Sequence, residues 1–132
     1  MDAATRRFVV QRAANCCEYC RLPQTAAPLA LFHLEHIQAQ QHIHDDSLDN
    51  LALACPDCNR YKGPNLTSLD PATREIVVLF NPRLHHWEDH FALQGPTIVG
   101  RTPTGVATVR LLQMNSSRRV ERRRELIEFG EF

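Results

Sequence analysis

"NLALACPDCNRYKG", running from Asn50 to Gly63, sets two cysteines and two asparagines between an apolar run and a basic end. The segment "NLALAC" reads as a short strand or extended stretch. Pro56 fits the first position of a helix, where its missing N–H is not needed, and that helix must end by Gly63-Pro64. Working outward, "LALFHLEHI" is rich in strand formers and bounded by Pro28 and a polar loop, which predicts a strand at 30–37. Residues 38–49, "QAQQHIHDDSLD", form that loop. The order strand, loop, strand, short helix is therefore legible before any motif is considered.

Two Cys-x-x-Cys pairs, Cys17-Glu-Tyr-Cys20 and Cys55-Pro-Asp-Cys58, have 34 residues between them. Two thiolates at this spacing chelate one ion from a tight turn, and two such turns complete a tetrahedral four-sulfur zinc site. Four thiolates leave no open position for water, so the zinc is expected to be structural. A thioredoxin-like redox pair needs a strand-to-helix turn of a βαβ unit, and neither pair has one. Buried structural cysteines are the other alternative. Cys16 is left over and reads as a small buried residue.

The chain has 132 residues, 43 % of them apolar, which suits one domain or one domain with an extension. No apolar run approaches a membrane span, and the opening "MDAATRRFVVQRAANCC" has no signal-peptide pattern. A cytoplasmic location, where thiols stay reduced, is the expectation. The formal net charge is zero but unevenly spread. No Lys or Arg lies between Arg21 and Arg60, whereas Glu35, Asp45, Asp46, Asp49 and Asp57 do. From Arg101 to Arg124 seven arginines face the single Glu121. An acidic middle suits a divalent cation and a basic tail suits phosphates.

Residues 4–15 have helical spacing and should stop near Asn15. Beyond Asp70, "REIVVLF" and "PTIVG" read as strands, with an aromatic stretch between them. Thr102 or Thr104 can cap a helix through Gln113, interrupted early by Gly105, and Ser116 or Ser117 a last helix to about Phe129.

A zinc clip needs neither Glu35-His36 nor Asn50 and Asn59. Those residues, within "LEHI" (34–37), "DDSLDNLALAC" (45–55) and "CNRYKG" (58–63), with "CEYC" (17–20) supplying a zinc pair, resemble the HNH endonuclease family, the ββα-metal or His-Me finger fold. The resemblance covers about 15–65, and the part after Asp70 resembles an extension of small stand-alone members. It implies that His36 is the general base and that Glu35 and Asn59 ligate one divalent ion. It implies too that Asn50 holds the loop and orients the histidine. Histidine chemistry is independently suited to the task, since an ordinary imidazole is largely neutral at pH 7 and can accept a proton. Carboxylate and amide oxygens are hard ligands suited to Mg²⁺ or Mn²⁺. Arg60 and Lys62 would clamp a phosphate. The family more often carries Asp or His at the position of Glu35, and Asn59 replaces a final histidine, which disfavours zinc-like ions there.

Taken singly, His36 could be a satisfied half-buried histidine, Asn50 a turn former and Asn59 a surface residue; the joint spacing with the zinc pairs favours the site. His42 and His44 read as solvated loop residues, and Asp57 as a first-turn acid or a contact behind the metal. The cluster His85, His86 and His90 invites a second metal site but lacks a nearby acid of fixed geometry. Arg118, Arg119, Arg122 and Arg123 fall at helical spacing and read either as a phosphate-binding face or as a solvated helix surface.

The sequence thus predicts an α+β protein: residues 1–68 with an N-terminal helix, the zinc clip and the ββα-metal core, and residues 69–132 as a strand and helix extension. By the resemblance it hydrolyses phosphodiester bonds in DNA, leaving a 5′-phosphate and a 3′-hydroxyl. Structural Zn²⁺ and catalytic Mg²⁺ or Mn²⁺ are the cofactors. A single site nicks one strand, and a homodimer is one way to cut both. The rival is a non-catalytic zinc module that binds nucleic acid or protein.

Overall fold

The computed structural model describes residues 1–132 and divides into two compact units, Met1–Pro64 and Asn65–Phe132. No helix is long and apolar enough to cross a membrane.

The first unit opens with helix α1, Ala3–Arg12, capped by Asp2, whose carboxylate accepts from the backbone N–H of Thr5 at 2.7 Å. The chain leaves the helix through Ala14 and Asn15, both in the left-handed region, so the helix ends earlier than its apolar spacing suggests. Strands β1, His33–His36, and β2, Leu51–Ala54, pair antiparallel with Glu35 opposite Ala52 and His36 opposite Leu51. The strand predicted at 30–37 is shorter because Phe32 bonds through its N–H to the Gln24 side chain instead of to a strand. All four residues of β2 are buried, which explains its unbroken apolar sequence.

Helix α2, Pro56–Lys62, follows at once, with Pro56 at its start and Gly63 (φ 50°) at its end, as the turn chemistry predicts. Arg12 ties α1 to β2 by donating to the carbonyls of Leu48 and Leu51 at 3.0 and 2.7 Å. Val9, Tyr19, Phe32, Leu51 and Leu53 form the core.

The second unit consists of two hairpins and three helices. Strands β3, Thr67–Leu69, and β4, Ile76–Val78, form one hairpin; β5, Phe91–Gln94, and β6, Thr97–Gly100, form the other. Helix α3, Trp87–His90, runs into β5, and α4, Pro103–Leu111, is capped by Thr102, whose hydroxyl accepts from Gly105 N–H at 3.0 Å. Gly105 does not interrupt α4. Instead it lets the helix approach α3 so closely that a Cβ there would lie 2.0 Å from the His90 carbonyl oxygen. The last helix, α5, spans Ser117–Glu128, and the Ser116 side chain makes no capping bond.

Arg119 and Arg123 of α5 are buried, 2 % and 3 % exposed. Arg119 donates to the carbonyls of Leu112 and Gln113, and Arg123 to those of Pro96 and Met114. The last carbonyls of a helix have no partner of their own, and these two guanidinium groups satisfy those just past α4. The expectation that Arg119 and Arg123 face nucleic acid is thus corrected: the i, i+4 spacing directs both inward.

Candidate active site and metal centre

The four cysteines meet in one place. Residues 17–22 make a tight knuckle closed by Cys17 N–H to Leu22 O at 2.8 Å and Arg21 N–H to Cys17 O at 2.9 Å, with Arg21 in the left-handed region. Glu18 hooks the knuckle onto β2: its N–H donates to Leu53 O and its carboxylate accepts from Leu53 N–H, each at 2.8 Å. Cys55 is the residue before α2, and its sulfur accepts from Cys58 N–H at 3.4 Å. The four Sγ atoms all lie within 4.8 Å of one another, and those of Cys20 and Cys55 are 3.7 Å apart. Zinc–sulfur bonds of about 2.3 Å in a tetrahedron place sulfurs about 3.8 Å apart, so the spacing fits. Burial pushes the Cys17 and Cys58 thiols well above their ordinary values, whereas the hydrogen bond from Cys17 lowers Cys55. Four thiolates so enclosed call for a dication to offset them. The set fits a structural zinc.

Tyr19, inside the first pair, carries the clip to β1. Its hydroxyl donates to Glu35 Oε1 at 3.1 Å. Lys62, in the last turn of α2, places its ammonium 2.7 Å from the same oxygen and donates to the Ile37 carbonyl at 2.9 Å. The lysine thus grips the residues on either side of His36. Burial pushes the Glu35 carboxyl up, and the Lys62 ammonium and the Tyr19 hydroxyl oppose that rise. Lys62 is 2 % exposed, which corrects its expected role as a phosphate clamp. Its four-carbon stem folds back because the buried carboxylate is its strongest available partner.

Consecutive residues of a strand leave on opposite faces. Glu35 turns to Tyr19 and Lys62, and His36 turns to the loop after β1. There His36 Nε2 lies 2.7 Å from Asp46 Oδ1, with the imidazole 18 % exposed. The hydrogen bond from His36 holds the Asp46 carboxyl below its usual range, so Asp46 is ionised at neutral pH and Nε2 is the donor. Nδ1 makes no hydrogen bond within the protein.

Asn50 fixes this loop. Buried at 5 % exposure, it accepts from Gln38 N–H at 2.8 Å and donates to the carbonyls of Gln38 and Asp45 at 3.0 and 2.8 Å. The residue next to its last partner is Asp46, so Asn50 positions the carboxylate that holds the histidine. His42 pins the loop elsewhere, with Nε2 2.9 Å from the Pro64 carbonyl. His44 stays exposed.

Asn59 is half-buried and its side chain makes no hydrogen bond within the protein. It precedes Lys62 by three, so the two are neighbours on the surface of α2, and Lys62 is the one that reaches Glu35. Glu35 Oε2 is buried with no hydrogen-bond partner. An orphaned carboxylate oxygen and a free amide on neighbouring elements are a donor set that fits a hard divalent ion. Arg60 is exposed, stacked over the Tyr61 ring and 3.6 Å from Asp57.

Two residues of this site escape sequence reading. Asp46 is visible only as one of several loop acids, and Tyr19 only as a spacer within a cysteine pair. In the second unit, His85 and His90 lie with ring centroids 4.9 Å apart. His85 Nδ1 accepts from Asn81 N–H at 3.0 Å, and His90 Nδ1 is 2.6 Å from the Thr102 hydroxyl. Both rings are engaged in holding turns. The four cysteines are the only cluster of three or more His, Cys, Asp or Glu side chains with ligand atoms in reach of one another.

The comparisons agree with this geometry. Residues 17–65 match the family model described as HNH endonuclease. Its strand pair, helix and cysteine cluster are those of an HNH-type α+β fold. The match supports a nuclease-type function in general, and HNH nucleases generally act on DNA. No curated protein and no solved structure matches the chain.

Proposed function

We propose that this protein is a metal-dependent endonuclease that hydrolyses phosphodiester bonds in DNA, with His36 as general base. The observation that carries this reading is the 2.7 Å hydrogen bond from His36 Nε2 to Asp46. It fixes the tautomer with the proton on Nε2 and leaves the lone pair on Nδ1, which is free to take a proton from water. The Asp46 carboxylate then stabilises the imidazolium that forms, as acids behind catalytic histidines do. Asn50 keeps Asp46 in place through the Asp45 carbonyl.

Glu35 Oε2 and Asn59 would hold one Mg²⁺ or Mn²⁺ ion, and this ion, when bound, neutralises charge on the phosphate and its leaving 3′-oxygen. The exposed Arg60 offers a phosphate contact beside that position; Arg118 and Arg122 of α5 are candidate phosphate contacts of the second unit taken by itself. The products by family analogy are a 5′-phosphate and a 3′-hydroxyl.

A plasmid-nicking assay tests the reading. With Mg²⁺ or Mn²⁺ present, the wild type nicks supercoiled DNA, while His36→Ala loses cutting by about a hundredfold or more and retains its zinc. Equal nicking by both proteins defeats the assignment of His36. No nicking by either protein would favour a non-catalytic zinc module.

A further inference from the structure

Glu35 and Lys62 form a buried pair that is electrically balanced as it stands. The ammonium is 2 % exposed and sits 2.7 Å from Oε1, while Oε2 of the same carboxylate is buried without a hydrogen-bond partner. A dication taken up by Oε2 shares one carboxylate with that ammonium. Little water is present to screen the two cations from each other, and repulsion grows as the local dielectric falls. At the pair itself one negative charge then faces three positive ones, and the neighbouring Glu18 carboxylate is already engaged by Leu53 N–H. Asn59 is neutral, and no further Asp, Glu, His or Cys completes a ligand cluster with Glu35. The negative charge that is lacking is of the kind a phosphodiester brings.

We infer that Lys62 makes uptake of the divalent ion at Glu35 conditional on the nucleic-acid phosphate, so that ion and DNA bind cooperatively and the DNA-free protein holds the ion weakly. The inference rests on the nuclease reading above. It makes Lys62 a positioning residue with a second effect: the lysine grips both neighbours of His36 and also sets the order in which the charges of the site assemble. By linkage the coupling is reciprocal, so the ion strengthens DNA binding by the factor by which DNA strengthens ion binding.

The test uses the zinc-loaded 132-residue chain carrying His36→Ala, which leaves the probe uncut. Mn²⁺ is titrated with and without a short DNA duplex, and free Mn²⁺ is read by electron paramagnetic resonance. The duplex is expected to tighten Mn²⁺ binding by about tenfold or more. Adding Lys62→Gln, which keeps a polar head without the charge, should tighten Mn²⁺ binding to the DNA-free protein by a similar factor and shrink the coupling. Lys62→Arg keeps the charge and should keep binding weak. Zinc content and melting curves establish that each variant is folded. A duplex that leaves the Mn²⁺ affinity of the Lys62 protein unchanged overturns the inference without recourse to any variant. So does a folded Lys62→Gln protein that binds Mn²⁺ no more tightly. Failure of the nuclease reading looks different: no Mn²⁺ binds to any of these proteins, with or without DNA, and the inference falls with it.

Discussion

His36 and Asp46 are ten residues apart in the chain and 2.7 Å apart in space, joined from Nε2 to Oδ1 across a loop that Asn50 holds shut. Asp46 is itself 69 % exposed, so it contributes little to the core. Its replacement should therefore separate catalysis from folding. Asp46→Ala is expected to lower kcat by about ten- to a hundredfold, with zinc content and melting temperature unchanged. Asp46→Glu should restore part of the loss. A loss of rate accompanied by an equal loss of stability would mark Asp46 as a loop brace instead.

The zinc clip makes a sharper demand. Cys58 is fully buried among the other three sulfurs, and free energy of zinc binding is folding free energy for such a site. Cys58→Ser should lose zinc, measured by elemental analysis, and melt the first unit. The single tryptophan, Trp87, lies in α3 of the second unit. Its fluorescence should change far less than the far-ultraviolet circular dichroism. Unchanged metal content and an unchanged melting curve would refute the clip.

Arginines of α5 divide by burial. Arg119→Met removes a charged donor from the Leu112 and Gln113 carbonyls and should destabilise the protein by about 3 kcal/mol. Arg118 is exposed. Arg118→Ala should leave the melting curve alone, weaken DNA binding and reduce the salt slope of log K by about 1. The reverse pattern would show that α5 presents its buried arginines to DNA after rearrangement.

Acid should loosen the second unit through His85. Burial first, and His90 second, push His85 below the ordinary histidine value of 6.5. The folded state then binds the proton less readily than the unfolded chain. The stability this group contributes is present above pH 6.5 and is lost as pH falls through 6.5 toward the lower folded value. Structurally, a proton on Nδ1 ends its role as acceptor for Asn81 N–H, a bond worth about 1 kcal/mol. Urea titrations followed by Trp87 fluorescence should show a decline of that size between pH 7 and 5. His85→Gln should flatten it.

Much of the fold was legible because its punctuation is local. Pro56, Gly63 and Thr102 mark helix ends by chemistry that acts within a few residues, and the structure uses each of them there. The cysteine pairs were legible because chelation geometry restricts spacing. Boundaries set by distant contacts were not. The first strand begins late because Gln24 claims Phe32, and Gly105 sits within a helix because α4 must approach His90.

By itself the sequence determined the strand, loop, strand and helix order around Asn50–Gly63, the four-sulfur metal clip and the residues offered for chemistry. All of these follow from periodicity, turn chemistry and ligand spacing, which are properties of neighbours along the chain. Only the tertiary structure decided which way the charged side chains turn. Lys62 goes inward to Glu35, Arg119 and Arg123 cap the chain beyond α4, and Asp46 closes on His36. Each choice is a competition between solvation and a partner remote in sequence. A lysine or arginine reads the same in the sequence whether it meets water, a phosphate or a buried carbonyl.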